Sequence, residues 1–338
     1  MFKRIISLLL ITVSALSLLV IPASAAETAF TTADALTVLR HAVGSETLTK
    51  EQAAKYDLNG DGKIDTADAL IILRLVVGIE TTGSKKVDEA PKKPEDKVVT
   101  SVDEFEEHFA YASYYAISNI KVRVNNYNIL LDLKEACEER SWFSKYGFRE
   151  IYGSYGSGAV SIHLTYKMYI PIGYADRTGK TDNLTSKEKA SYKKLLEIID
   201  EYIPEKGTDY EKVLAAHDYL ASNIKYDFTF EADDIYDALI NGKAVCEGYT
   251  WAFKAIMDII GIESIVIDGD AGELHTWNMV KLDGKWYHID ITWDRPTNGN
   301  KSLNYITHEY FLVTDSYMKE THTWIKENFP AAVTEYKK

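Results

Sequence analysis

The sequence predicts an α+β protein: a small all-α module, a charged linker, and a larger mixed domain. Three observations predict this. A nine-residue segment near the N-terminus returns 34 residues later, and both copies have helical periodicity. The stretch 81–99 is charged, holds two prolines and has almost nothing to bury. Residues 100–338 mix capped helical segments with runs of strand period.

The first residues are expected to leave the chain. Lys3 and Arg4 precede an apolar run over 5–21, and Pro22-Ala23-Ser24-Ala25-Ala26 offers an A-x-A cleavage site. That is the grammar of a secretory signal peptide, here 1–25, with a retained membrane anchor as the less favoured alternative. Cleavage takes the formal charge from -13 to -15, because two bases and no acids go with it. So acidic a chain lacks the clustered Lys and Arg that phosphate binding needs, which argues against nucleic acid. No other stretch is apolar and long enough to span a bilayer, so the mature protein is expected outside the cell and off the membrane. Two cysteines, Cys137 and Cys246, are too few for a disulfide framework, although one bridge between them would disable the site described below.

In the repeat, Thr32-Ala33-Asp34-Ala35-Leu36-Thr37-Val38-Leu39-Arg40 matches Thr66-Ala67-Asp68-Ala69-Leu70-Ile71-Ile72-Leu73-Arg74. Leu36, Leu39 and Val43 fall on one helical stripe, as do Leu70, Leu73 and Val77, so the two helices should pack together. Gly44 and Gly78 stop them. Ahead of the second helix, 57–68 reads as a twelve-residue EF-hand-type calcium loop. Asp57, Asn59, Asp61, the Lys63 carbonyl, Asp65 and Asp68 supply oxygens, and Gly62 makes the sharp turn. With its paired repeat, the segment 31–80 resembles a type I dockerin. The resemblance implies a calcium-stapled module over 27–80, and a cohesin-bearing scaffold of a cellulosome-like complex as partner. Thr32-Ala33 and Thr66-Ala67 match the family's cohesin-contact positions. The first copy departs from the pattern: its loop would begin near Ala23, and only Glu27 is an early ligand. One structural calcium ion is therefore expected, not two.

The large domain begins with a helix over 101–116, then strands at 120–124 and 159–170. Thr185 with Glu188, and Thr208 with Glu211, form capping boxes that start helices. The second of these buries Val213, Leu214, His217, Leu220, Ala221 and Ile224. A short helix over 233–240 ends at Gly242, and another over 246–260 ends at Gly261. Strands follow to about residue 293.

Cys246 opens that last helix, where unpaired N–H groups and the dipole favour a thiolate. Asp283-Gly284 is a two-residue hairpin turn. In the register it sets, Leu282 meets Lys285, Trp277 meets Asp290 and His275 meets Thr292. His275, Trp277 and Asp290 then share one face, while Val280, Leu282, Tyr287, Ile289 and Ile291 share the core face. A carboxylate beside an imidazole fixes its tautomer and leaves the other nitrogen for a thiol proton. On these residues, Gly242-Lys243-Ala244-Val245-Cys246-Glu247-Gly248-Tyr249, His275-Thr276-Trp277-Asn278 and His288-Ile289-Asp290-Ile291-Thr292-Trp293-Asp294, the chain resembles the transglutaminase-like superfamily, with a motif core over 207–296. The resemblance implies a papain-like fold with Cys246 as nucleophile, His275 as general base and acid, and Asp290 as orienting carboxylate. Trp277 and Tyr226 are the candidate substrate-binding residues. Catalysis of this kind uses no cofactor. The implied activity is acyl transfer from amide bonds of proteins or peptides, to water (peptidase or amidase) or to an amine (transglutaminase). A non-catalytic binding module on the same fold is the alternative. A glycoside hydrolase would need two carboxylates flanking a sugar cleft, and no such pair stands out.

Overall fold

The computed structural model of the chain describes residues 30–56, 58, 63–76, 90–298 and 301–337. The expected signal peptide, Glu27 of the first copy, Asp57, Asn59, Asp61 and Gly62 of the metal loop, Val77 and Gly78 of the second repeat, and residues 81–89 of the linker lie outside the described residues.

The repeat forms helices α1 (Thr32–Ala42) and α3 (Thr66–Val76), with a short α2 (Lys50–Tyr56) between them that the repeat did not foretell. Thr31 and Asp34 make a capping box at the start of α1. Its end is a Schellman motif: Gly44 at φ +74 gives its N–H to His41, and Ser45 gives its N–H to Arg40. α1 and α3 pack on each other around Phe30, Ala35, Val38, Tyr56, Ala69 and Ile72. The expected stripe of Leu36, Leu39 and Val43 is thus rotated by about one residue, and Val43 is exposed. The physical reason is size. Ala35 and Ala69 let the two helices approach closely, and a helix apolar on more than one side does not say which side faces inward.

The rest of the described chain holds two large hydrophobic cores and a smaller third cluster. The first joins α4 (Phe105–Tyr114), α5 (Asn128–Glu139) and α6 (Trp142–Tyr146) to a three-stranded antiparallel sheet. That sheet contains β1 (Asn119–Arg123), β2 (Phe148–Gly156) and β3 (Ala159–Tyr166), in the order β1-β3-β2. Phe109 sits edge-on to both Trp142 and Phe148 at its centre. The strand expected over 159–170 stops at Tyr166, and Tyr169–Thr178 is a helix, α7. Its apolar run reads as a strand, but Pro171 is tolerated in the first turn of a helix, and Gly179 at φ +69 caps the end.

The second core gathers α8 (Ser186–Tyr202), α9 (Asp209–Asn223) and α10 (Cys246–Ile260) against the sheet β6 (Ser264–Asp270), β7 (Leu274–Leu282), β8 (Lys285–Ile289) and β9 (Phe311–Val313). α8 and α9 begin at the expected capping boxes. α10 is buried on nearly every side, with Tyr249, Ala252, Phe253 and Ile256 all inside. One face of the sheet meets it through Val280, Leu282, Tyr287 and Ile289. The other face, through Ile267, Trp277 and Met279, is covered by Met318, Trp324, Phe329 and Ala332 from the C-terminal segment. Among the described residues no helix is long and apolar enough to cross a membrane.

The α9 cap is a clean test of the local energetics. Glu211 donates its N–H to Thr208 Oγ1 and accepts the Thr208 N–H at 2.8 Å. Thr208→Ala should cost about 1 kcal/mol, read as a lower urea midpoint with an unchanged slope.

Candidate active site

The thiol is placed by four short pieces of backbone. A π-helical turn (Asp237–Asn241) ends at Gly242, with φ +69. β5 (Lys243–Ala244) then pairs in parallel with β4 (Lys225–Tyr226), which sets Tyr226 opposite Ala244. Val245 is extended and gives its N–H to the Ala232 carbonyl at 2.8 Å. Cys246 is the first residue of α10. A Cβ at Gly248 would lie 2.4 Å from that of Ala244, so only glycine lets the first turn of α10 settle here. The loop ahead is knotted by Asp227, whose carboxylate accepts from the N–H groups of Thr229, Glu231 and Ala232. Burial opposes its charge, but these bonds hold its carboxyl down at about 2.

The imidazole and carboxylate come from the hairpin. Asp283 and Gly284 both have positive φ, as a type I′ turn requires. The ladder runs from Leu282 with Lys285 to Asn278 with Ile289, in the expected register. It then departs from expectation. The chain leaves the sheet at Asp290 into a turn, so His275 pairs across β6 with Gly269 and does not face Thr292. The turn nevertheless brings Asp290 Oδ2 to 2.7 Å from His275 Nε2. Cys246 is close enough to the same ring to act on its charge. With Nε2 committed to the carboxylate, Nδ1 is the nitrogen left for the sulfur. α10 and β7 are pinned at this spacing: Thr250 Oγ1 donates to the Thr276 carbonyl at 3.0 Å, and Asn278 Nδ2 to the Thr250 carbonyl at 3.2 Å.

Electrostatics follow from burial and pairing. Burial alone would lower the His275 pKa, but the charge and hydrogen bond of Asp290, with the nearby Cys246, push it up to about 10. Burial would raise Asp290, yet His275 and His322 hold its carboxyl well below the usual range. The turn behind it is anchored by Asp294, which accepts from His217 Nε2 at 3.1 Å and Thr307 Oγ1 at 2.7 Å. His217 is therefore a buried structural histidine. Both thiols are free, and they differ sharply. Cys246 is half-buried at a helix start. Cys137 is sealed in the first core, where burial pushes its thiol up to about 12.

One expectation changes. Trp277, expected to touch substrate, is only 1% exposed. Its ring stacks near His275 and its indole N–H donates to His288 Nδ1 at 3.0 Å, so it backs the imidazole and offers substrate no surface. Tyr226 is half-buried beside the thiol. Burial, then the neighbouring Cys246, pushes its phenol up to about 12. The exposed apolar residues near the site are instead Leu274, next to His275, and Phe230.

Sequence reasoning missed His322. Its Nε2 lies 3.1 Å from Asp290 Oδ2, the oxygen that His275 also uses. It arrives because Thr323 pairs with Asp270 at the end of β6. There a Cβ at Gly269 would be 2.3 Å from the Thr323 carbonyl oxygen. A glycine closing one strand of the hairpin sheet is a faint signal of such an approach.

In the metal loop, Asp68 is fully buried. Its carboxylate accepts from the N–H groups of Leu58 and Asp65, both at 2.9 Å, which draws the two ends of the loop together. A buried carboxylate closing a loop whose other candidate ligands are carboxylate, amide and carbonyl oxygens is part of a donor set of hard oxygens and fits calcium. The first repeat lacks this. There Asp34 is taken by Lys55 Nζ at 2.8 Å and Tyr56 OH at 2.6 Å.

Residues 196–291 match the family model of the transglutaminase-like superfamily, and residues 29–76 match that of the dockerin type I domain. The Kyphoscoliosis peptidase of Homo sapiens is 26% identical over 155 residues, covering 40% of this chain and 23% of the relative. The Mus musculus protein of the same name is 25% identical over 157 residues with the same coverage. The chain thus spans less than a quarter of the length of these relatives. The crystal structure of a TGase is 19% identical, with 52% of each chain covered and a TM-score of 0.29, too loose a superposition to carry functional meaning.

The paired shifts set a pH window for stability. His275 is raised, so its contribution is complete below its ordinary 6.5 and is lost as pH rises through about 10. Asp290 is lowered, so its contribution is present above its ordinary 3.8 and fades as pH falls through the acid range. The stability gap between wild type and His275→Gln should therefore narrow from about pH 6 to about pH 10 in urea titrations. A gap that stays constant over that range would refute the coupling.

Proposed function

We propose that the chain is a secreted cysteine acyl-transfer enzyme acting on amide bonds of proteins or peptides, carried to a cohesin-bearing scaffold by its N-terminal module. One observation supports the chemistry above all: Cys246 at the start of α10 acts on the charge of a His275 ring whose Nε2 sits 2.7 Å from the buried Asp290. The two family matches agree with the two halves of the reading.

The chain's own groups account for each step. Asp290 keeps His275 an imidazolium, which pairs with the Cys246 thiolate as the attacking form. The sulfur attacks the amide carbonyl, a C–S bond forms, and the Cys246 backbone N–H supplies one donor to the developing oxyanion. His275 then gives its proton to the leaving amine as the C–N bond breaks. Water, or a second amine, attacks the thioester, gives its proton to His275 and releases the acid or the new amide. Export would place the site in bulk water, which favours hydrolysis over transfer.

The address is a separate matter. Type I dockerin domains bind calcium and imply a cohesin partner. In this chain Asp57, Asn59, Asp61, Lys63, Asp65 and Asp68 would hold a single structural ion, because Asp34 is already matched by an ammonium group. Calcium titration of the chain should give one ion per molecule. Calcium at about one hundred times its dissociation constant should stabilise the module by about 2.7 kcal/mol. Asp68→Ala should abolish the binding and Asp34→Ala should leave the stoichiometry at one.

Mass spectrometry of candidate proteins, treated with a labelled primary amine present, tests the chemistry. Cleaved or deamidated products mean water as acceptor, and amine-tagged products mean transfer. Cys246→Ala should remove either signal, by roughly 10⁴-fold or more. Products that persist in Cys246→Ala would sink the reading. No product, together with no labelling of Cys246 by a thiol reagent, leaves the non-catalytic module of a cellulosome-like complex in its place.

A further inference from the structure

Asp290 carries more than a two-partner contact requires. His275 Nε2 and His322 Nε2 both reach its Oδ2, at 2.7 and 3.1 Å, while the Trp293 N–H reaches Oδ1 at 3.1 Å. Three donors on two oxygens leave the carboxylate no free rotation. The His322 ring is fully buried. It sits among Trp293, Trp277 and Tyr310, with ring centroids 4.6, 5.0 and 5.5 Å away. Its other nitrogen, Nδ1, is 2.8 Å from Thr321 Oγ1. That arrangement is complete for a ring carrying its proton on Nε2 and accepting the Thr321 hydroxyl at Nδ1. A buried imidazole used only as filling would need no such pair of partners, and an apolar side chain would fill the space at less desolvation cost.

We propose that His322 is a positioning residue of the site: its Nε2–H holds Asp290 in the orientation His275 needs and competes for the oxygen that His275 binds. The inference rests on the acyl-transfer reading above. His322 makes no contact with the reacting atoms. It acts through Asp290, by fixing where the carboxylate points and how much of its charge His275 receives. The charged and titratable groups around His275 are Asp290, Cys246 and His322, with Tyr226 near Cys246 and Asp290.

Two substitutions separate the donor from the shape. His322→Gln keeps an N–H at the ring's Nε2 position, and His322→Leu keeps bulk and removes the donor. His322→Leu should lower kcat by roughly 10- to 100-fold with little change in KM, and His322→Gln should recover most of it. Proton NMR of the histidine ring signals gives a readout that needs no substrate. Freed of a competing donor, Asp290 should bind the His275 imidazolium more strongly. The His275 titration should then move up by about one pH unit in His322→Leu and stay put in His322→Gln. If the two variants lose activity alike, or His275 titrates as in wild type in His322→Leu, the inference is overturned and His322 is packing. If wild-type His275 titrates near its ordinary value and Cys246 resists alkylation at neutral pH, the acyl-transfer reading fails first and takes this inference with it.

Discussion

The larger domain is organised around one buried charge. Asp290 is almost wholly removed from water, and an ionised carboxylate there is tolerable only if its oxygens are met by donors. Those donors come from three parts of the chain: His275 on β7, Trp293 in the following turn and His322 in the C-terminal segment. The backbone joins in, since the Asp290 N–H goes to the Tyr310 carbonyl and Asp294 gives its N–H to the Asp290 carbonyl. Meeting that charge therefore forces strand, turn and tail into one arrangement. The same geometry presents an imidazole to the sulfur on α10. Stability and chemistry here draw on a single set of contacts, and a change to one moves the other.

The two cysteines show how far placement alone separates two thiols. Cys137 and Cys246 have the same side chain in one fold. Cys137 lies on α5 among Leu133, Trp142 and Phe148, with nothing near it to stabilise a thiolate. Cys246 sits where a parallel strand pair, an extended valine and a glycine in the first turn aim a helix N-terminus at a ring. Cross-ties from Thr250 and Asn278 then fix α10 against β7, so the gap between sulfur and imidazole is set by core packing and not by a mobile loop.

Much of this was legible in the sequence because local rules fixed it. The Thr185 and Thr208 capping boxes, the glycine stops at Gly242 and Gly261, and the Asp283-Gly284 turn each depend on residues within a few positions. A two-residue turn sets register for the whole hairpin, which is how His275 and Asp290 were matched from opposite strands. What escaped depended on distant chain. Trp277 looked like a substrate surface because the segment that buries it, with Met318 and Trp324, begins some forty residues on. His322 carried no motif of its own, and only the pairing of Thr323 with Asp270 brings it in. The rotation of the α1 stripe had a different origin. Leu36 and Val43 are as apolar as the residues that face inward, so period alone could not choose between faces.

The N-terminal module follows the same rule of charge compensation with a different outcome in each repeat. Asp34 and Asp68 occupy equivalent positions, and both carboxylates have left water, partly for Asp34 and fully for Asp68. Each therefore needs positive partners. In the first repeat Lys55 and Tyr56 supply them from inside the protein. The contact closes α2 onto α1, and Thr31 adds the capping box that starts the helix. In the second repeat the carboxylate takes backbone N–H groups from its own loop. One half of the module is thus closed by an ammonium the chain carries, and the other by backbone N–H groups of its own loop. A pseudo-symmetric pair built this way satisfies two equivalent carboxylates by two different means, one from a neighbouring helix and one from its own loop.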